Sequence, residues 1–195
     1  MGIKTLNQMG SNIPVSPSDL SKMVGIENVD IPKQEAETYD KYSNINKKDL
    51  RETFLNVAVE NSTEGKYAKK FNNYVKFFKE KAKDKGIGIM MVGEHGTGKT
   101  YYSNCIGSEL HKNHKVYKTT CGKYVRDIQD KFEEDKYLKL IKNSDLVILD
   151  DLGSEHIKSD EKGSWKKEVL FNLFQTIYEN EICLIITTNL NEEKM

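Results

Sequence analysis

Arginine is scarce in this chain. Of thirty basic residues only Arg51 and Arg126 are arginines, and the rest are lysines. Lysine offers a point charge and cannot reproduce the planar, bidentate grip of a guanidinium, so the stretch beyond position 126 has no such clamp. An excess of one charge is also missing. Thirty acidic residues balance the thirty basic ones, so total charge gives no sign of a nucleic-acid partner, although a local patch is a separate matter. The three cysteines, Cys105, Cys121 and Cys183, are odd in number and far apart. That excludes a paired-cysteine zinc ribbon and a disulfide framework, and leaves small core hydrophobes in a reducing compartment. His95, His111, His114 and His156 show no ligand spacing. There is no apolar signal core and no run long enough to span a bilayer, so the protein is expected in the cytoplasm with no membrane contact. The opening "MGIKTL" begins like a myristoylation site but carries Leu6 where Ser or Thr is required.

What is present divides unevenly along the chain. Residues 1–48 hold all three prolines and are rich in Ser, Asn and charge, with scattered apolar residues. They read as a polar, loosely ordered extension, with a short helix starting near Ser18. Residues 49–195 read as one domain. Residues 65–85 place Tyr67, Phe71, Tyr74, Val75, Phe78 and Ala82 at helical spacing, with lysines on the solvated face. Short apolar runs at "GIGIMMVG", "KVYKTT", "SDLVILDDLG" and "EICLIITTNL" then alternate with helical stretches over 98–113, 122–143 (broken near Glu134) and 162–180. In the last helix Trp165, Phe171, Phe174 and Tyr178 read as core. Strands apolar on both faces, alternating with helices, predict a mainly parallel sheet covered on both sides, a three-layer α/β/α fold.

The run "GEHGTGKT" follows the first strand directly and opens a helix. Gly93, Gly98, Lys99 and Thr100 satisfy GxxxxGK[ST]. A loop that wraps a polyphosphate with its own amide protons must keep side chains out of the way, which Gly96 and Gly98 allow. Lys99 would reach the β- and γ-phosphates, Thr100 would offer a hydroxyl to Mg²⁺, and the helix N-terminus would face the anion. Residues Gly93, Glu94, His95, Gly96, Thr97, Gly98, Lys99, Thr100 and Tyr101 are therefore the expected nucleotide-binding set. In "LVILDDLG", four apolar residues deliver an acidic pair to the C-terminal end of a strand, where ligands sit in open parallel sheets. Asp150 is expected to hold Mg²⁺ through water, and Asp151 to polarise the attacking water. Asn189, after the next buried strand, can touch the γ-phosphate or that water. "NKKD" at 46–49 fits a guanine-reading pattern but precedes the cradle, so the expected nucleotide is ATP.

These three elements in this order resemble the additional-strand class of P-loop NTPases, AAA+ ATPases in particular. "GEHGTGKTYYSNCIGSEL", "LVILDDLGSE" and "LIITTNL" are similar to the DnaC/DnaI/IstB family of bacterial and phage helicase loaders and transposition helper ATPases, over about residues 50–195. The resemblance implies ATP binding with Mg²⁺, hydrolysis, self-association through the ATPase domain, and contact with a replicative DNA helicase and single-stranded DNA. It makes Lys99 and Thr100 the cradle residues, Asp150 and Asp151 the acidic pair and Asn189 the first sensor. Lys118, Lys123 and Tyr124 lie where the family meets single-stranded DNA; they suit backbone contact and base stacking, or are a plain surface loop.

The chain departs from the family pattern in two places, besides one acidic position where the family itself accepts Asp. Asp151 stands where many AAA+ proteins have Glu, which predicts slow hydrolysis. Residues 1–48 contain no cysteine or histidine, which excludes the zinc module some loaders carry there. The family continues after the sensor strand with a helix, an arginine finger and a fifth strand, so the last strand is expected to be missing and the first left as an open edge. Three further readings stay open: a transposition helper with the same core, a nucleotide-dependent adaptor with negligible turnover, and a small-molecule P-loop kinase. The kinase is disfavoured because such lids use arginines.

Overall fold

The computed structural model describes residues 44–54, 63–131, 134–153 and 161–190. The helix expected near Ser18 and nearly all of the N-terminal extension lie outside these residues. After a single 3-10 turn at Asp49–Arg51 come helix α1 (Thr63–Lys76), strand β1 (Ile89–Val92), α2 (Lys99–Leu110), β2 (Val116–Thr120), α3 (Cys121–Lys131), α4 (Glu134–Lys142), β3 (Leu146–Leu152), α5 (Glu161–Glu179) and β4 (Cys183–Thr188). The strands form one parallel sheet in the order β1-β4-β3-β2.

β3 shows why the sheet needs two covers. Leu146 and Ile148 enter one core cluster with residues of α1 and α2. Val147 and Leu149 enter the other, with residues of α3, α4 and α5. All four are fully buried, as a central parallel strand requires. Gly107 lets α2 approach this strand closely, since an added Cβ would lie 2.8 Å from Ile148 Cδ1. The three cysteines are buried core residues as read. Burial raises the thiol of Cys105, and that of Cys183 is pushed up to about 11, so both stay protonated and inert.

Three local expectations change. The helix over 65–85 is not continuous: α1 ends at Lys76, and a π-helical turn (Phe78–Ala82) and a 3-10 turn (Lys83–Lys85) follow. The wider turn keeps both Phe78 and Ala82 buried, while Tyr67 at the start of the stripe is half exposed. In α5 the buried face is Val169, Leu170, Leu173 and Ile177; Phe171 and Tyr178 are 65% and 85% exposed, and Trp165 and Phe174 pack only partly. Apolar residues span more than one stripe of this helix, and the sheet selects the aliphatic one. Finally, among the described residues β1 is covered on one face only. Met91 enters the core, but Met90 and Val92 are 48% and 43% exposed, and the second cluster contains no β1 residue. β1 is an edge strand of the described sheet.

Asn44 and Ile45 fall within the stretch read as an extension, yet they pack on the domain. The Asn44 amide accepts from Lys118 N at 2.5 Å and donates to Lys118 O at 2.7 Å, engaging the outer edge of β2. Ile45 packs against the first core cluster.

Candidate active site

The cradle forms as its residues demand. The loop leaves β1 at Val92 and enters α2 at Lys99, with Gly98 as the N-terminal cap at φ 87°. Gly96 has φ 78°, also left-handed. An added Cβ at Gly96 would meet nothing within 4 Å, so glycine is needed there for backbone angle rather than space. The Lys99 ammonium folds over the loop and donates to Gly93 O and Glu94 O, each at 2.8 Å. Thr97 Oγ1 donates to Glu94 O at 2.9 Å and tightens the turn. The side chains of Glu94, His95 and Thr97 are exposed on the rim. Tyr101 turns away from the loop: its hydroxyl donates to Thr53 O at 2.8 Å, so only its backbone belongs to the helix start.

The acidic pair sits beside the cradle. Thr100 Oγ1 donates to Asp150 Oδ1 at 3.0 Å. The pairing of β3 with β4 slips between Leu149 and Leu152, where Asp150 and Asp151 together face the single residue Thr187. This bulge breaks the alternation that would send successive side chains to opposite faces. Asp151 takes the left-handed conformation, φ 59°, which Asp tolerates better than most residues. Asn189 Nδ2 donates to Asp151 Oδ1 at 3.1 Å, so these two side chains meet directly. The cradle is tied to the same strand pair, because Gly93 N donates to Thr188 O at 3.3 Å.

Thr187 and Thr188 also belong to the site. Thr187 Oγ1 donates to Asp150 Oδ1 at 2.5 Å and accepts from Asp151 N at 2.8 Å. Thr188 Oγ1 donates to Leu152 O at 2.7 Å and accepts from Leu190 N at 3.1 Å. The signal was in "IITTNL": two hydroxyls at the end of an otherwise aliphatic strand. The donor set of Thr100 hydroxyl and Asp150 carboxylate suits a hard cation such as Mg²⁺, which takes few protein ligands and keeps waters and phosphate oxygens. A hydroxyl that donates to a carboxylate also retains lone pairs for such an ion.

The trio expected to meet DNA is not assembled for that purpose. Tyr124, on α3, is fully buried in the second core cluster. The Lys118 ammonium, with its side chain 10% exposed, pairs with Asp49 Oδ2 at 2.7 Å and donates to Asn104 Oδ1. Asn104 in turn donates to Glu52 Oε2 at 3.1 Å, where burial raises the Glu52 carboxyl. This network is structural: it joins the segment before α1 to α2 and β2. Lys123 alone reaches the surface, paired with Asp127 at 2.6 Å. A groove of about 890 Å³ runs between α1 and β1 from Tyr67, Phe71 and Tyr74 to Thr97 and Lys99.

A glycine-rich loop between strand and helix, an acidic pair on β3 and an asparagine just past the end of β4, the strand between them, define a P-loop ATPase fold of the AAA+ class. The chain belongs to the family described as the bacterial DnaA ATPase domain, whose profile matches residues 50–195. It is similar to the replicative helicase loader DnaI of Bacillus subtilis (strain 168), 22% identical over 151 residues, covering 75% of this chain and 46% of DnaI. Among solved structures it resembles the DnaC helicase loader, with TM-score 0.60, 24% identity, and coverage of 77% of this chain and 83% of that one. It also resembles the replication initiator DnaA bound to AMPPCP and single-stranded DNA, with TM-score 0.58, 22% identity, and coverage of 78% and 45%. The DnaC/DnaI resemblance read from the motifs therefore stands. The chain spans less than half the length of the curated relatives it matches.

Proposed function

We propose that the protein is an ATP-dependent helicase loader of the DnaC/DnaI type, acting in DNA replication in the cytoplasm. The observation that carries the ATPase part is the direct contact of Thr100 with Asp150, and of Asn189 with Asp151, at the mouth of the glycine loop. Lys99 exchanges its loop carbonyls for phosphate oxygens. Thr100 and Asp150 would hold Mg²⁺, which would neutralise charge on the phosphates. Asp151 orients the attacking water and accepts its proton, and Asn189 holds that carboxylate in place. The groove beside Lys99, with Tyr67 and Phe71 on its wall, has room for a nucleoside.

The loader part rests on similarity. DnaI is described as a replicative helicase loader, and the DnaA structure holds single-stranded DNA. We assign a replicative helicase and single-stranded DNA as partners, and self-association to the ATPase domain (residues 49–195). With Lys118 and Tyr124 buried, the DNA contact falls to Lys123 and surfaces outside the expected trio.

The test is MgATP binding and turnover with and without single-stranded DNA, together with co-sedimentation with a purified replicative helicase. Lys99→Ala should reduce nucleotide binding to background. A wild type that binds ATP, turns it over slowly and changes rate with DNA supports the reading. DNA binding without any helicase binding would move it to a transposition helper. Nucleotide binding with no turnover under any condition would leave an adaptor.

A further inference from the structure

The acidic pair is held from the sheet side by one hydroxyl. Thr187 is 1% exposed, on β4, opposite the bulge that carries Asp150 and Asp151. A threonine hydroxyl has one proton to give and lone pairs to accept with. Here the proton goes to Asp150 Oδ1 at 2.5 Å, and a lone pair takes Asp151 N–H at 2.8 Å. The same Asp150 oxygen also receives the Thr100 hydroxyl at 3.0 Å, from the cradle side. Asp150 is thus held by two hydroxyls on one oxygen, one from each wall of the site.

Asp151 depends on the same group in another way. Its left-handed backbone, φ 59°, persists only where its surroundings hold it, and the bond from its amide to Thr187 is one of those restraints. Serine could make both bonds. Valine has the same shape and could make neither.

We propose that Thr187 is a positioning residue that sets the orientation of Asp150 toward Mg²⁺ and the backbone of Asp151 together, so that the metal response of the nucleotide site depends on its hydroxyl. The proposal rests on the ATPase reading above and concerns binding, so its test does not need turnover. A non-hydrolysable ATP analogue is titrated by calorimetry in EDTA and at increasing Mg²⁺, for wild type, Thr187→Val and Thr187→Ser. Thr187→Val should bind the analogue without metal within about twofold of wild type, and should need about tenfold more Mg²⁺ for half-maximal response, the loss expected for one charge-assisted hydrogen bond. Thr187→Ser should titrate like wild type. In an Asp150→Asn background, Thr187→Val should cost no further metal response, because the group it orients is already changed. Thr187→Ala, read against Thr187→Ser, replaces the valine variant if that one folds poorly.

A valine variant with the wild-type Mg²⁺ response overturns the inference. So does a serine variant as impaired as valine, which would mean that packing and not the hydroxyl matters. A wild type that binds no analogue overturns the ATPase reading and this inference together, so the two failures are distinguishable.

Discussion

Under the proposed mechanism Asp151 meets two demands at one position: a carboxylate for the water and a backbone at φ 59°. The two can be separated by substitution. Asparagine tolerates the left-handed region, and a β-branched residue does not. Asp151→Asn should keep nucleotide affinity and lose about 100-fold or more in turnover, the lower range for removal of a general base. Its thermal midpoint should stay close to wild type. Asp151→Val should lose turnover equally and also destabilise by about 1–2 kcal/mol through backbone strain. Turnover and thermal unfolding on the same preparations check both, and wild-type turnover in the Asn variant would remove Asp151 from the mechanism. At this scale most of the site was legible. Lys99, Thr100, Asp150 and Asp151 sit in local patterns whose geometry depends on a few neighbouring residues. The hydroxyl of Thr187 stands out in "IITTNL", but what it holds was not legible, because its partners lie 36 and 37 residues away and across a bulge.

At the scale of elements, glycines decide how closely strands and helices meet. A Cβ at Gly88 would lie 2.0 Å from Leu184 O, a backbone atom of β4 that cannot rotate aside. Gly88→Ala should push β1 from β4 and cost about 2–3 kcal/mol, within the range for overpacking. At Gly107 the obstruction is the end of the Ile148 side chain, which can turn, so Gly107→Ala should cost less than about 1 kcal/mol. Denaturant melts of the two variants test the contrast, and equal losses would refute it. The alternation of strands and helices was readable because each element has its own apolar period. The buried face of α5 was not: the aromatic and aliphatic stripes both satisfy helical spacing, and only packing against the second cluster picks Val169, Leu170, Leu173 and Ile177.

At the scale of the whole molecule, Asp145 ties several elements together at the end of the sheet away from the site. Its carboxylate pairs with Lys83 at 3.1 Å, accepts from Lys115 N at 3.0 Å and lies 3.5 Å from His114 Nδ1. Burial alone would raise its pKa, but these three neighbours outweigh it and bring the carboxyl down to about 2. An unfolded aspartate titrates near 3.9. The folded value is the lower one, so the contribution is fully present above pH of about 4 and is lost as pH falls toward 2. It is on the order of 2 kcal/mol. Asp145→Asn should therefore lose stability at pH 6 and flatten the fall between pH 4 and 2, followed by thermal melts. A variant with the wild-type slope would contradict this.

What the amino-acid sequence determined by itself was the kind of site and the order of its parts. Glycine at two left-handed positions, a lysine and a threonine opening a helix, and an acidic pair ending an aliphatic strand are local chemistry. Tertiary structure alone decided which groups touch. The order β1-β4-β3-β2 sets the sensor strand between cradle and acidic strand, so that Asn189 finds Asp151 and Thr187 finds Asp150. The same packing takes Lys118 and Tyr124 out of reach of any ligand at the surface. Local backbone preferences act over a few residues, whereas these contacts depend on which strands pair and which helix face meets the sheet, and the whole core settles both.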